Sequence, residues 1–347
     1  MDLPRVAAAL KQLQVPAFRL DQVRRAIFEE AVPSYQDIAV LPVDLRRALT
    51  DNVPLMSARE RRVLVSGDQR AHKALLAFSD GKIIETVLLR PSPTRWTTCI
   101  STQVGCAIGC AFCATGLMGL SRNLTPEEIT DQVLFWRQYM RRENLDGRLD
   151  NVVYMGMGEP FATYDATAES LRRLMDQKQF GIGARHISVS TSGLAPQIER
   201  FGKDFPQINL ALSLHAADDV LRTQLVPLNK AYPLARLGEA IKRYLTLTNR
   251  KVFLEYVMLA GKNDREGDAR RLIEWIKATG PIELLHVNLI LFNQTQTSYE
   301  ATPEANARRF QAKLLDAGIK ATVRQNLGRD IQGACGQLIV SKRESHG

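Results

Sequence analysis

Six apolar runs recur in the second two-thirds of the chain, and helical patterns lie between most of them. The runs are nearly continuous, as is typical of parallel strands covered on both faces; they occupy residues 97–101, 151–156, 186–192, 208–214, 252–258 and 286–292. Amphipathic stretches with apolar residues three and four positions apart occupy residues 126–143, 166–177, 234–245, 267–279 and 303–318. An α/β fold is therefore predicted from about residue 97. Its parallel sheet would form an open or partial barrel, although a doubly wound sheet has the same alternation.

The first part of the chain follows a different pattern. Short helical patterns, with Pro-containing links between them, occupy residues 8–14, 19–32 and 41–49. Two β-type runs follow within residues 73–90, and Asp80-Gly81 between them is a strong hairpin signal. We expect three parts: a helical accessory domain at 1–70, a β-hairpin extension at 71–96, and the barrel with a C-terminal segment at 97–347. A final strand at 319–324 leads into that segment.

Composition and charge narrow the class of protein. Hydrophobic residues make up 45% and charged residues 24%, which is ordinary for a globular protein. No apolar run approaches the roughly 18 residues of a membrane span, and the charged N-terminus lacks a secretory signal, so we expect a cytoplasmic protein without a membrane partner. In that compartment the odd number of cysteines, five, favours metal or thiol chemistry over disulfides. The net charge of +9 fits a nucleic acid partner, although a solvated basic surface has the same composition.

Polar or glycine-rich residues follow four of the six apolar runs, where the predicted strands end. They are residues 156–160 (GMGEP), 190–193 (STSG), 213–219 (SLHAADD) and Asn293. Function collects at the carboxyl ends of parallel strands, so we expect these residues to line one shared site. Ordinary caps and turns would explain any one of them, but they explain the whole set poorly.

Three of the five cysteines, Cys106, Cys110 and Cys113, follow the first barrel strand with the spacing CxxxCxxC. Thiolates are soft ligands that select iron–sulfur clusters or zinc. A cubane cluster held by three cysteines keeps one iron without a protein ligand, and that iron would be open to a substrate or cofactor. A structural zinc ion completed by a distant His or Cys is the alternative.

The CxxxCxxC spacing, with aromatic Phe112 before the last cysteine, resembles the signature of the radical S-adenosylmethionine (SAM) superfamily. The resemblance implies a partial (β/α)6 radical SAM barrel, which agrees with the six predicted strands. It also implies one [4Fe-4S] cluster bound by the three cysteines, with exchangeable SAM on the remaining iron. Reduction of such a cluster cleaves SAM and yields a 5′-deoxyadenosyl radical.

Longer segments resemble one family within that superfamily, the RlmN/Cfr adenosine methyltransferases that act on RNA. They are TQVGCAIGCAFCATGLMGLSRNLTPEEI, NVVYMGMGEP, HISVSTSGLAP, LALSLHAADD, VNLILFN and RDIQGACGQL. The resemblance covers about residues 70–340, and the N-terminal helices are similar to the accessory domain of the family. It implies methylation of an adenosine in 23S rRNA, and also of an adenosine in tRNA, with an external electron donor such as flavodoxin. Val104, Ala107 and the proline of GMGEP favour the RlmN branch and carbon 2; carbon 8, as in the Cfr branch, is the alternative.

The resemblance also assigns roles to the two remaining cysteines. It implies that one SAM methylates Cys335 and that a second SAM generates the radical that removes hydrogen from the S-methyl group, so each turnover uses two SAM molecules. Cys99 matches the thiol that releases the RNA through a transient disulfide with Cys335. Glu85 matches the proton acceptor of the family, although Cys99 itself could take that proton. The positions that match SAM contacts are Gly158, Glu159, Ser190, Ser213, Leu214, His215 and Asn293.

Two other classes of protein share parts of this pattern. Another radical SAM maturase would share the cluster but would not need Cys335, and a non-catalytic iron–sulfur or zinc protein would bind nucleic acid through its basic surface alone. The N-terminal helices are a candidate RNA docking site, although a capping subdomain with a solvated face has the same pattern. Their basic residues are Arg5, Lys11, Arg19, Arg24, Arg25, Arg46 and Arg47.

Overall fold

The computed structural model describes residues 1–324 and 327–338 of the chain. Its first part contains the three predicted helices: α1 (Leu3–Gln12), α2 (Phe18–Phe28) and α3 (Val43–Asn52). Each helix buries the apolar side chains of one face, among them Val6, Ile27 and Leu49. Because burial of one such side chain is worth about 1.5–3 kcal/mol, packing is enough to hold these short helices in place.

Residues 58–65, within the part of the chain expected to form the helical accessory domain at 1–70, form a strand, β1 (Ala58–Val65), that the sequence analysis does not predict. The sequence ARERRVLV has no apolar alternation, so its pattern does not indicate a strand. β1 pairs antiparallel with β2 (Ala71–Phe78) and lies at the edge of the sheet. An edge strand exposes much of its surface, which is why charged side chains are tolerated there.

The predicted hairpin consists of β2 and β3 (Ile83–Ser92), joined across Ser79, Asp80 and Gly81. β3 pairs antiparallel with β4 (Arg95–Cys99), which is the first of the predicted parallel strands. The hairpin is therefore part of the barrel sheet, and one of its faces continues the face of β4 that carries Cys99.

Strands and helices alternate in the rest of the chain, which confirms the α/β fold class. The elements are β5 (Gln103–Gly105), α4 (Ala114–Leu117), β6 (Leu120–Asn123), α5 (Pro126–Arg142), β7 (Arg148–Tyr154), α6 (Tyr164–Met175), β8 (Ile187–Thr191), α7 (Ala195–Asp204), β9 (Asn209–Ser213), α8 (Asp219–Leu225), α9 (Leu234–Thr248), β10 (Val252–Met258), α10 (Glu266–Thr279), β11 (Leu285–Leu291), α11 (Glu304–Asp316) and β12 (Lys320–Arg324). The sheet order is β1-β2-β3-β4-β7-β8-β9-β10-β11-β12, and all neighbours from β4 to β12 are parallel. The six predicted parallel strands and the final strand are confirmed. Within the described part of the chain, no helix is long and apolar enough to span a membrane.

The two faces of the parallel strands differ in polarity. Val189, Leu210 and Val252 lie side by side in three adjacent strands and have no exposed surface. Side chains alternate along a strand, so the neighbouring positions point to the opposite face. Those positions include Ser190 and Ser213, whose hydroxyl oxygens are 3.2 Å apart. The inner face of the sheet therefore carries polar groups at its carboxyl edge.

Helix α5 supports that edge from outside. It begins with a capping box, in which Thr125 Oγ1 accepts from the Glu128 N–H (3.2 Å) and Glu128 Oε2 accepts from the Thr125 N–H (2.9 Å). One turn later, the Gln132 side-chain amide accepts from the Ser101 N–H and donates to the Ser101 carbonyl, both at 2.8 Å. The chain just after β4 is thus fixed before it enters the cysteine loop.

The C-terminal segment, residues 327–338, connects the hairpin end of the sheet with the cysteine loop. At one end, Asp330 Oδ2 accepts from the Gly67 N–H (2.8 Å). At the other end, the Leu338 carbonyl accepts from Thr115 Oγ1 (2.6 Å). Residues 325–326 and 339–347 of the predicted barrel part lie outside the described residues.

Candidate active site

A cavity opens at the carboxyl ends of the parallel strands. Leu214, one of the seven positions expected to contact SAM, is fully buried in the hydrophobic core, and the structure does not place it in the cavity wall. The other six lie in the wall together with all three cysteines of the loop: Gly158, Glu159, Ser190, Ser213, His215, Asn293, Cys106, Cys110 and Cys113. The polar strand ends thus meet in one site, as the sequence predicts.

A small sheet closes the cysteine loop at both ends. β5 and β6 pair antiparallel on either side of it, and the Cys106 N–H donates to the Gly119 carbonyl (2.9 Å). Within the loop, the Cys113 N–H donates to the Cys110 carbonyl (3.1 Å). Gly105 permits this closure, because a Cβ at that position would lie 1.9 Å from the Gly119 carbonyl oxygen.

The three thiols have the chemistry that an iron–sulfur cluster requires. Burial raises the pKa of each one, that of Cys106 to about 11, so bare thiols stay protonated at neutral pH and would release protons on binding iron. Within residues 1–324 and 327–338, no three His, Cys, Asp or Glu side chains are close enough to hold a single metal ion. A cubane cluster places each thiolate on a different iron, so its ligands do not need to converge on one point. Cys106, Cys110 and Cys113 would hold such a cluster.

Glu159 presents a fixed carboxylate to this cavity. Its Oε1 accepts from the Phe161 N–H (3.0 Å) and its Oε2 accepts from the Ser192 N–H (2.7 Å). Burial raises the pKa of the carboxyl, while these two donors favour its charged form. Each oxygen keeps a further lone pair, with which it would accept from an ammonium group in the cavity. The preceding Gly158 is required, because a Cβ there would lie 2.6 Å from Gln103.

His215 is a neutral side chain in the same wall. Its Nδ1 accepts from the Val257 N–H (3.1 Å), and its ring meets the ring of Phe112 edge-on, with 4.8 Å between the centroids. Burial, and secondarily the Arg222 guanidinium, lower the pKa of His215 to about 3. Its φ of +61° turns the chain sharply after β9 and directs the ring toward β10.

Arg222 is fully buried behind the wall. Its Nε donates to the Leu214 carbonyl (3.1 Å), Nη1 to Asn229 Oδ1 (2.8 Å) and Nη2 to the Ser192 carbonyl (2.7 Å). All three acceptors are uncharged, so these hydrogen bonds do not neutralise the positive charge of the Arg222 guanidinium. Burial lowers the pKa of Arg222 to about 10, and the neighbouring Cys110 and Asp219 oppose that change. An anionic cluster or a ligand carboxylate in the cavity would be attracted to this cation.

Cys335 belongs to the walls of two cavities. The second cavity lies between the hairpin, β12 and the C-terminal segment, and its wall also contains Cys99. Arg324, like Cys335, belongs to both walls. Asn293 Nδ2 donates to the Cys335 carbonyl (3.2 Å) and so holds the loop between the two cavities. Both cysteines are free thiols. The structure thus brings the predicted methyl carrier and its partner thiol to one cavity.

A cation borders both of these thiols. Burial raises the pKa of Cys99. Cys335 is an exposed residue, but the loss of water around its thiol raises the pKa of that thiol as well, and the Arg324 guanidinium opposes the rise in each case. Arg324 Nη1 lies 3.4 Å from Glu255 Oε2, and Asn288 Nδ2 donates to Glu255 Oε1 (2.8 Å). Arg324 therefore favours the thiolate form of either sulfur, and Glu255 orients it.

Glu85 is buried in β3, where it pairs with a lysine of the neighbouring strand. Its Oε1 lies 2.9 Å from Lys73 Nζ. Val87 is paired in register with Lys73 on one side and with Cys99 on the other, so Glu85, Lys73 and Cys99 project from the same face of the sheet. The structure does not place Glu85 in the wall of either cavity.

The sequence analysis missed four charged residues at or behind this site. Lys73 and Glu255 each lie in a largely buried strand, and a charge in a buried strand is a signal of a paired or functional group. Arg222 and Arg324 give no such signal, because their surroundings depend on segments that are distant in sequence.

Comparisons with known proteins give relatives that match most of this chain. The sequence model of the radical SAM superfamily matches residues 100–273. The chain is 41% identical over 344 residues to a probable dual-specificity RNA methyltransferase RlmN of Chloroflexus aurantiacus, covering 97% of this chain and 91% of that protein. It is 38% identical over 331 residues to a ribosomal RNA large subunit methyltransferase Cfr of Clostridium botulinum, covering 95% and 94%. The crystal structure of a radical SAM methyltransferase from Sphaerobacter thermophilus matches with a TM-score of 0.90 and 41% identity, covering 97% of each chain.

The barrel and the cysteine loop define a radical SAM enzyme, a class that works with a [4Fe-4S] cluster and SAM. The relatives match almost the whole chain. The chain belongs to the RlmN/Cfr family of radical SAM RNA methyltransferases.

Proposed function

We propose that this enzyme methylates carbon 2 of an adenosine in 23S rRNA, and of an adenosine in tRNA, through a methyl group carried on Cys335. The observation that supports it is the place of Cys335 in the walls of both cavities, one with the cysteine loop and the other with Cys99. The C. aurantiacus relative is named as a dual-specificity enzyme, which favours two classes of RNA. Carbon 8 is the alternative position, because the chain is also similar to Cfr. An enzyme with these substrates would act in the cytoplasm.

When bound, one [4Fe-4S] cluster and SAM would supply a methyl group and a radical that removes hydrogen, at a cost of two SAM molecules per turnover and with electrons from a donor such as flavodoxin. Cys106, Cys110 and Cys113 would bind the cluster. Glu159 would accept from the SAM ammonium group, and the other polar residues of the first cavity would position the rest of that molecule. Arg222 adds a buried positive charge behind them.

Cys335 acts first as a nucleophile. Its thiolate sulfur would take the methyl group that bound SAM supplies as an electrophile, and S-adenosylhomocysteine would be the leaving group. Arg324 assists this step, because a guanidinium beside the thiol favours the thiolate. The resulting thioether is uncharged and lies beside Met155 and Ile290, which also belong to both walls.

The methylated Cys335 then attacks the RNA base. Removal of a hydrogen atom from the S-methyl group leaves a carbon radical, which adds to the ring carbon of adenine. That carbon is electron-poor and does not react with a methyl cation, so a radical route is needed. The second cavity carries Arg70 and Arg324, and these cations suit a phosphate-bearing substrate.

Release of the RNA requires a base and a second thiol. Glu85 is the proposed acceptor of the ring proton. The unpaired electron of the radical adduct would return to the bound cluster, so that the ring is closed-shell again before the second thiol reacts. The Cys99 thiolate attacks the sulfur of Cys335, so that a disulfide forms and the bond from sulfur to the methylene carbon breaks. Its electron pair remains on that carbon, which takes up a proton and becomes the methyl group. An external reductant then restores both thiols.

Mass spectrometry of the purified enzyme tests this function. After anaerobic incubation with SAM, we expect one added methyl group on Cys335, and digested 23S rRNA and tRNA should then contain 2-methyladenosine. A maturase or a non-catalytic binding protein would leave Cys335 unmodified. Detection of 8-methyladenosine would instead assign the enzyme to the Cfr type of reaction.

A further inference from the structure

The geometry points to Lys73 as a positioning residue for RNA release: it holds Glu85 as the proton acceptor and couples it to the segment that carries Cys335. This inference rests on the proposed function, in which Glu85 accepts the ring proton. Lys73 has no role in the chemistry described so far.

The pair is buried in the middle of the hairpin. The side chains of Lys73 and Glu85 are 5% and 2% exposed, and their charged atoms lie 2.9 Å apart. Removing two charges from water costs several kcal/mol per ion, which a close pair offsets only in part. Two apolar residues would therefore stabilise the hairpin at least as well, so stability alone does not account for a charged pair here.

Main-chain hydrogen bonds fix Glu85 to the loop that lines the first cavity. Its N–H donates to Met157 Sδ (3.3 Å), and its carbonyl accepts from Ser101 Oγ (2.6 Å). Ser101 Oγ in turn accepts from the Met157 N–H (2.8 Å). The backbone is held in this way, and the contact of Lys73 Nζ with Oε1 at 2.9 Å helps to direct the carboxylate.

Lys73 also contacts the C-terminal segment. Its Nζ donates to the Gln332 carbonyl (3.4 Å), three residues before Cys335. Lys73 lies on the face of the sheet that carries Cys99, which is in the wall of the second cavity with Cys335. One ammonium group thus contacts both the proposed base and the segment to which the RNA becomes attached.

The chemistry explains why the base would need a cation. In the step concerned, a ring C–H bond of the RNA adduct breaks, its electron pair stays with the ring, and the proton moves to an oxygen of Glu85, while the unpaired electron of the adduct would return to the bound cluster. Only the ionised carboxylate can accept that proton. A buried carboxylate without a cation beside it is driven toward its protonated form, and the Lys73 ammonium opposes this.

Single-turnover assays of Lys73→Met test the inference, because methionine keeps the length of the side chain and removes the charge. We expect methylation of Cys335 and formation of the RNA adduct at wild-type rates, while release of methylated RNA slows by about 100-fold, within the range for loss of general base catalysis. The adduct is measured as protein-linked RNA on a denaturing gel. Lys73→Arg should restore most of the release rate. Lys82→Met, at the exposed turn of the same hairpin, should leave every step unchanged.

Glu85→Gln separates this inference from the proposed function. If Glu85→Gln stalls with the adduct, and the double variant Lys73→Met/Glu85→Gln is no slower than Glu85→Gln alone, Lys73 acts through Glu85. Release at the wild-type rate in Glu85→Gln would overturn the proposed base itself. If Glu85→Gln stalls with the adduct but Lys73→Met releases RNA at the normal rate, only the role of Lys73 is overturned. Equal slowing of all steps in Lys73→Met would overturn that role as well. Should Lys73→Met not fold, Lys73→Gln serves in its place, since it is also uncharged.

Discussion

The two cavities are built from different kinds of sequence. The first lies at the carboxyl ends of consecutive parallel strands, next to a loop that contains three cysteines within eight residues. The second forms where the hairpin, the last strand and the C-terminal segment meet, so its walls come from opposite ends of the barrel sheet. Cofactor binding therefore depends on local motifs, whereas the thiol chemistry depends on how the C-terminal segment closes over the sheet. Cys335 belongs to both.

Cys113→Ala should have the largest effect and should destroy the function of the first cavity. Loss of one of three thiolates leaves two irons of a cubane without protein ligands, so we expect iron content and visible absorption after anaerobic reconstitution to fall to background. RNA methylation should disappear with them. Cys99→Ala is the matched control for cluster content, since Cys99 lies in the wall of the second cavity, not of the first, and is not a proposed cluster ligand. A Cys113→Ala protein that retained a stable cluster would contradict the proposed ligand set.

Cys335→Ala should abolish RNA methylation while leaving the cluster intact. Cys335 lies in both walls but is not a proposed cluster ligand, so the first cavity should still bind SAM and cleave it. Deoxyadenosine formation and methylated RNA are measured in the same reaction. Methylated RNA from this variant would show that the methyl group reaches the base without the carrier.

Cys99→Ala should stop the reaction one step later. The methyl carrier and the cluster remain, so we expect the RNA to become attached to Cys335 and to stay attached. Protein-linked RNA should accumulate on denaturing gels to about one equivalent of enzyme, and free methylated RNA should be scarce. Free product at the wild-type rate would contradict the assignment of Cys99 as the resolving thiol.

The first cavity was largely predictable from sequence, because its signals are local. The spacing of the cysteines and the polar residues after four of the six apolar runs mark positions that the parallel topology brings to one edge of the sheet. Six of the seven expected SAM contacts lie in its wall. Leu214 differs because it lies between Ser213 and His215 on a strand end, where alternation turns its side chain into the core.

The second cavity was much less predictable. Only the family resemblance indicated roles for Cys99 and Glu85. The sequence assigned no role to Lys73 or Arg324. Their roles depend on strand pairing between the hairpin and β4 and on the path of the C-terminal segment, which no local pattern records. Strand β1 was missed for a related reason: at the edge of the sheet, its pairing with β2 decides its structure while its own side chains are mostly charged or exposed.

Arg324→Gln should slow reactions of the Cys335 thiol without destroying either cavity. The guanidinium lowers the pKa of Cys335 relative to the value that burial alone would set, so its removal raises that pKa. At a fixed pH below the pKa, each unit of increase reduces the thiolate fraction about tenfold, and a contact with an opposite charge is typically worth about one unit or more. We expect alkylation of Cys335 by iodoacetamide to slow about tenfold near neutral pH and to recover at higher pH. Arg324→Lys should retain most of the alkylation rate. An unchanged pH profile in Arg324→Gln would show that Arg324 does not lower the pKa of Cys335.

Thr125→Ala should have the smallest effect and should affect the two cavities equally. Loss of the capping box of α5 is expected to lower the free energy of unfolding by about 1 kcal/mol, measured by urea denaturation. Thr246→Ala is the control, because Thr246 is also exposed on a helix but bonds only to the Lys242 carbonyl of the preceding turn, so its loss should be nearly neutral. Gln132 of α5 bonds to the backbone of Ser101, which precedes the cysteine loop. A weakened cap should therefore change neither iron content nor adduct release at temperatures where the protein remains folded. Selective loss of the cluster in Thr125→Ala would show that α5 positions the first cavity more directly than its hydrogen bonds indicate.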